Sequence, residues 1–259
     1  MFVDSHCHLN MLDTSEQGVD AYVQAARDAE VEHMLCVSTS LDTFPQVLDC
    51  AMRFPDVSCS FGVHPTEKMT AEPSVDVLLA DAERPEVVAI GETGLDYFHI
   101  QGDDLKWQQQ RFRDHIAVAK SLKKPLIIHT RDAREDTIAI MKEENAAAIG
   151  GVMHCFTETL AMAEQAMALG FYISFSGIVT FKNARELKEV AKKIPADRFL
   201  IETDSPFLAP VPMRGKANQP AYVPHVAACL AELRQESVDT IARQSTENFY
   251  RLFSQINNV

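Results

Sequence analysis

Six residues stand out by type and spacing as able to bind metal ions or carry protons: His6, His8, Glu92, His129, His154 and Asp204. Each lies at or near the end of a short apolar run, in MFVDSHCH, EVVAIGE, PLIIH, GGVMH and RFLIETD. Imidazoles and carboxylates are the usual protein ligands of zinc, manganese and related divalent ions. Any one of these residues alone is explained by a local hydrogen bond or a helix cap. Recurrence at five strand ends would need independent structural causes to coincide. Within His6-Cys7-His8, alternation along a strand sends both imidazoles to one side and Cys7 to the other.

The elements that must position these residues follow from the apolar patterning. Strands are expected at 2–6, 33–38, 57–62, 87–91, 125–129, 149–153, 171–174 and 198–202. Their Val, Ile, Leu and Phe content, without strict polar alternation, fits strands buried on both faces. Helical periodicity falls near 16–30, 42–53, 74–82, 103–122, 132–145, 157–169 and 183–193, with two further helices near 222–233 and 237–254. Such alternation implies a parallel α/β sheet, and eight units fit a closed (β/α)₈ barrel forming one domain over residues 1–259. A doubly wound open sheet would need two domains or another strand order. In a barrel the strand ends converge on one face, so the six residues would meet there. The segment 206–224, with Pro206, Pro210, Pro212, Pro220 and Pro224, would lie over that mouth.

Six ligands are too many for one tetrahedral zinc. They suit two divalent ions (zinc, manganese or magnesium) about 3.5–4 Å apart, bridged by one carboxylate. Glu92 is the expected bridge. His6, His8 and Asp204 would hold one ion, and His129 and His154 the other. Water between such ions loses a proton near neutral pH and becomes a nucleophile, and Asp204 would accept and return a proton. Among the remaining histidines, His33 and His115 read as structural, His225 as capping or packing, and His99 as part of a loop. His64 follows the third strand and would reach the mouth, where it, Arg131, Arg214 and Lys216 are the candidates for holding a substrate phosphate. A third ion near His64 and Glu202 is left open. Asp132 is expected to cap the helix after strand five.

Composition bounds the rest. The 259 residues are 46% apolar and 24% charged, ordinary values for a globular protein. No apolar run approaches the roughly 18 residues that span a bilayer, and no signal-peptide pattern opens the chain, so a cytoplasmic location without membrane contact is expected. None of the six cysteines forms a C-x-x-C pair, which fits reduced thiols. Cys7 and Cys155 are expected to pack away from the site. The net charge of −13 argues against an extended grip on nucleic acid, so contact with a polyanion should be short and centred on the ions. The sequence indicates no protein partner.

Together DSHCHL, GVHP, GETGLDY, IHTR, HCF, ETDSPFLAP and RGKANQP resemble the TatD family of metal-dependent hydrolases in the amidohydrolase superfamily, in order and over nearly the whole chain. The resemblance implies a (β/α)₈ barrel, with ligands falling on His6, His8, Glu92, His129, His154 and Asp204. It implies hydrolysis of phosphodiester bonds in DNA, often as a 3′ exonuclease. The expected substrate is therefore a DNA end or another short phosphoester. The alternative is another ester or amide hydrolase in the same barrel, such as a D-aminoacyl-tRNA deacylase.

Overall fold

The structure, a computed structural model, describes residues 1–15, 17–100 and 105–258. Positions 16, 101–104 and 259 of the expected ranges lie outside the described residues. Eight strands form one parallel sheet in sequential order: β1 (Phe2–Cys7), β2 (Val31–Cys36), β3 (Val57–Phe61), β4 (Val87–Asp96), β5 (Leu126–Arg131), β6 (Gly151–Met153), β7 (Phe171–Phe175) and β8 (Phe199–Ile201). The ring is drawn shut between its first and last strands. There the Asp204 amide donates to the His6 carbonyl (2.9 Å) and the His8 amide to the Ser205 carbonyl (2.8 Å). The Asp4 carboxylate accepts from the Thr203 amide (2.8 Å) across the same seam. The expected (β/α)₈ barrel is the fold.

Each strand but the last is followed by one helix: α1 (Val19–Asp28), α2 (Phe44–Arg53), α3 (Val75–Ala82), α4 (Lys106–Leu122), α5 (Arg134–Glu143), α6 (Leu160–Ala168) and α7 (Arg185–Lys193). α8 (Val223–Arg234) and α9 (Val238–Leu252) follow β8. Hydroxyl caps start three of them: Ser74, Thr159 and Ser237 accept from Val77, Met162 and Thr240 amides. Asp132 does not cap α5. Its backbone is left-handed (φ 54°), and the cap position falls on Ala133 with no side-chain bond.

Alternation along the strands separates two apolar layers. Phe2, Met34, Leu126, Met153, Phe171 and Phe199 join the layer under the helices. Val3, Leu35, Ile127, Val152, Tyr172 and Leu200 fill the barrel interior, where Phe249 of α9 and Phe253 just after it close the lower end. Each fully buried phenylalanine of this kind contributes about 1.5–3 kcal/mol. Among the described residues no helix is long and apolar enough to cross a membrane.

Candidate metal centre

The interior layer continues upward into polar residues. Ile127 is followed two positions on by His129, Val152 by His154, and Leu200 by Glu202 and then Asp204. The ladder carries them past the apolar ends: the His154 amide donates to Ile128 O (3.0 Å) and the Glu202 amide to Phe175 O (3.1 Å). β1 needs a correction to its phase. Val3 faces the interior and Cys7 the outer layer, although both positions are odd. A register irregularity between Asp4 and Cys7 accounts for the switch and turns His6 and His8 inward. A similar irregularity in β4, between Ile90 and Thr93, brackets Glu92.

The six predicted residues meet around Glu92. Its Oε2 lies 3.4 Å from His6 Nε2 and 4.0 Å from His8 Nε2. Its Oε1 lies 2.9 Å from His154 Nε2, 3.0 Å from His129 Nδ1 and 3.3 Å from His64 Nε2. Asp204 Oδ1 completes the first side, 3.3 Å from His8 Nε2 and 3.7 Å from His6 Nε2. His64 thus sits within the donor cluster and not only on the substrate side. Three groups here are able to hold a metal ion: His6, His8 and Glu92; His64, Glu92 and His129; His6, His154 and Glu202.

The chemistry of the donor set fits a cation. His8 Nδ1 donates to the Val37 carbonyl (2.9 Å), which leaves a lone pair on Nε2. That lone pair meets His6 Nε2 at 3.2 Å and the Asp204 carboxylate. His154 Nδ1 is committed to Glu202 Oε1 (3.2 Å), and its other nitrogen faces Glu92. Acceptors opposed in this way repel unless a proton or metal lies between them. Back-side hydrogen bonds of this kind are what fixes the tautomer of a metal-binding histidine. The electrostatics agree. Burial opposes charge on His154, yet the Glu92 and Glu202 carboxylates hold its imidazole well above its usual range. Burial would raise Glu92, and the charges of His154 and His64 with hydrogen bonds from His129 and His154 hold it well below the carboxylate range. Asp204 is lowered too: burial is outweighed by the bond from His8 and the charge of the surrounding imidazoles.

A cavity of about 680 Å³ opens over the cluster, walled in part by His8, His64, Glu92, His129, His154 and Asp204. Arg131 also lines it, its guanidinium 4.2 Å above the Phe98 ring. Arg214 and Lys216 are not among the lining residues; Arg214 stacks on Phe181 at 3.9 Å, and both are exposed. Cys7 packs in the outer layer as expected. Cys155 does not, and half-buried it lines the cavity, because β6 ends at Met153 and Cys155 is left-handed (φ 42°), so strand alternation no longer applies.

Two further carboxylates belong to the site: Asp96, which no apolar run in the sequence marks, and Glu202, which the sequence connects only with a possible third ion. Asp96 is fully buried; its Oδ2 lies 3.1 Å from His129 Nε2 and 2.8 Å from His99 Nδ1. Its carboxyl is held low despite burial, by hydrogen bonds from His129 and His99. Glu202 Oε1 accepts from His154 Nδ1 and the Cys155 amide (2.8 Å). Strand alternation carried two positions back from Asp204 would have found Glu202.

Comparison with known proteins converges on one group. The family model for TatD-related DNases matches residues 3–254. An uncharacterized metal-dependent hydrolase of Escherichia coli strain K12, YcfH, is 47% identical over 253 residues, covering 97% of this chain and 95% of that protein. A 3′-5′ ssDNA/RNA exonuclease, TatD, of Erwinia tasmaniensis is 36% identical over 243 residues, covering 91% and 93%. Among solved structures, the TatD homologue YjjV of Escherichia coli superposes with a TM-score of 0.87 at 32% identity, covering 98% of each chain.

Proposed function

Since this chain belongs to the TatD-related DNase family and is a metal-dependent hydrolase, we propose that it removes nucleotides from the 3′ end of single-stranded DNA by phosphodiester hydrolysis. The observation that carries this reading is the division of Glu92: one oxygen faces His6 and His8, the other His129 and His154. Two divalent ions would be held accordingly, one by His6, His8 and Asp204, the other by His129 and His154, with Glu92 shared. Bound there, such a pair supplies Lewis acidity and neutralises charge on a phosphoryl group.

The chain's own residues do the rest. Asp204, at the cavity wall beside His8, accepts a proton from the attacking water and returns it to the leaving oxygen. Arg131 reaches the cavity from the end of β5 and pairs with a phosphate oxygen. The exonuclease named among the relatives, at 36% identity, supports the substrate class. The acidic balance of the chain (−13) favours contact with a strand end over an extended tract.

The test compares the metal-loaded protein on 5′-labelled single-stranded DNA, blunt duplex, closed circular single strands and D-aminoacyl-tRNA. A ladder shortening from the 3′ end, with circles intact, is expected. Release of the amino acid from D-aminoacyl-tRNA with all DNA untouched would replace this reading with the deacylase one.

A further inference from the structure

Fourteen phenylalanines occur in the chain, and among the described residues only two of them count as exposed large hydrophobics: Phe98 (47%) and Phe207 (52%). Both stand at the mouth. Phe207 lines the cavity over the donor cluster, its ring centroid 6.2 Å from that of His8. Phe98 lies beneath the guanidinium of Arg131, itself a cavity residue. Their positions around the ring follow from strand order. Phe207 comes after β8 and meets His8 after β1, whereas Phe98 comes after β4 and meets Arg131 at the end of β5. In an eight-stranded ring the β8/β1 seam and the β4/β5 junction are half a turn apart, so Glu92 and its imidazoles lie between the two rings.

The backbone under Phe207 is fixed. Its amide donates to Asp204 O (2.9 Å), and its carbonyl accepts from Asn218 Nδ2 (2.6 Å). Asn218 is itself buried and bonds to Thr203 O as well (2.8 Å). An exposed ring on an anchored backbone loses little conformational freedom when a flat ligand covers it. Every nucleobase offers such a face, and base–aromatic stacking is sequence-tolerant and independent of net charge. That matters in a chain at −13, where phosphate contacts alone are a poor source of affinity.

Resting on the phosphodiesterase reading above, we infer that Phe207 and the Phe98–Arg131 pair form two nucleobase-stacking subsites on either side of the scissile phosphate. One base of the strand end covers Phe207, and the neighbouring base covers Phe98, with Arg131 close to the phosphate between them. The substrate is then an unstacked single strand, because bases held in a duplex cannot reach both rings.

The experiment uses the metal-loaded full chain and short single strands, intact or lacking the base at the terminal or the penultimate position. Phe207→Ala and Phe98→Ala should each raise KM on intact strands by about 5- to 100-fold, the range of one lost stacking contact. Their kcat and metal content should stay close to wild type, because stacking is common to bound substrate and transition state. Each variant should lose little more on the strand that lacks its own base, and Phe207→Trp should restore KM. Both alanine variants within twofold of wild type on intact strands would overturn the subsites, as would equal losses on intact and base-free strands. If the wild type leaves every strand uncut, the phosphodiesterase reading fails. Binding of a strand with uncleavable methylphosphonate linkages then decides separately: the subsites stand if Phe207→Ala weakens it and fall if it does not.

Discussion

The two ends of the barrel bury the same residue type to the same extent and do opposite things with it. His33, near the lower end, is 5% exposed, and His154, at the mouth, is 6% exposed. His33 lies against the rings of Phe249 and Tyr250 (5.7 and 6.1 Å) and meets one hydroxyl, Ser58 Oγ, at 2.8 Å. Burial pushes its pKa down to about 4. His154 lies between two carboxylates, Glu92 at 2.9 Å and Glu202 at 3.2 Å, and is held well above its usual range. Burial therefore does not separate a structural histidine from one placed as a candidate ligand. The carboxylates do, because a low dielectric strengthens charge pairing as much as it penalises an isolated charge. The lower end answers a stability requirement, with an apolar plug and a neutral imidazole. The mouth concentrates imidazoles and carboxylates that repel one another unless protons or metal ions lie between them.

The contrast breaks most completely at Glu92. Glu92→Gln leaves the imidazoles in place and removes the charge both halves share. Activity should fall by roughly 10³-fold or more, the several kcal/mol that two ions supply, and elemental analysis after reloading should fall from two ions per chain to one or fewer. Two ions retained in the variant would remove Glu92 as the bridge. Asp204→Asn is next: a loss of roughly 10²–10⁴ in kcat is expected for a lost proton acceptor, with the fold intact by circular dichroism. Activity within tenfold of wild type would take Asp204 out of proton transfer.

Much of this mouth was legible in the sequence because strand period and ligand type coincide. His129, His154 and Asp204 each continue the inward phase set by Ile127, Val152 and Leu200. The spacing of His6 and His8 puts them on one side of the strand, but their inward direction depends on the irregularity after Asp4, which spacing does not reveal. Asp96 was missed for a related reason. The fourth strand is expected at 87–91, ending before Glu92. Instead β4 runs to Asp96. Gly94 (φ 132°) is there because a Cβ would stand 2.0 Å from His129 O, so the glycine lets two strands approach closely. Arg214 and Lys216 do not line the cavity, and the direction of their side chains is not legible in the sequence because a proline-rich segment has no periodicity.

Asp96 offers a test of intermediate size. Asp96→Asn keeps the shape and removes the charge behind His129. Metal affinity should drop roughly 10–100-fold, as for other carboxylates behind metal-bound histidines, measured by chelator competition. An unchanged affinity would mean that Glu92 alone orients His129.

The smallest effect comes from the lower end and sharpens the comparison by sign. The folded pKa of His33, about 4, lies below its unfolded value of 6.5. Between those values the unfolded chain holds a proton that the folded chain lacks, so stability is full above the unfolded value and falls as pH drops toward 4. By about pH 5.5 this amounts to about 1 kcal/mol at 1.4 kcal/mol per pH unit. His33→Gln keeps a neutral partner for Ser58 and does not titrate. His115, also pushed down to about 4 by burial, is present in both proteins and cancels in the difference, as does proton competition at the mouth. Urea unfolding of wild type and His33→Gln at about pH 7.5 and about pH 5.5 should show wild type losing about 1 kcal/mol relative to the variant on acidification. A constant difference would mean that His33 carries its proton in the fold, and that the lower end also sustains buried positive charge, with only the Asp56 carboxylate to favour it.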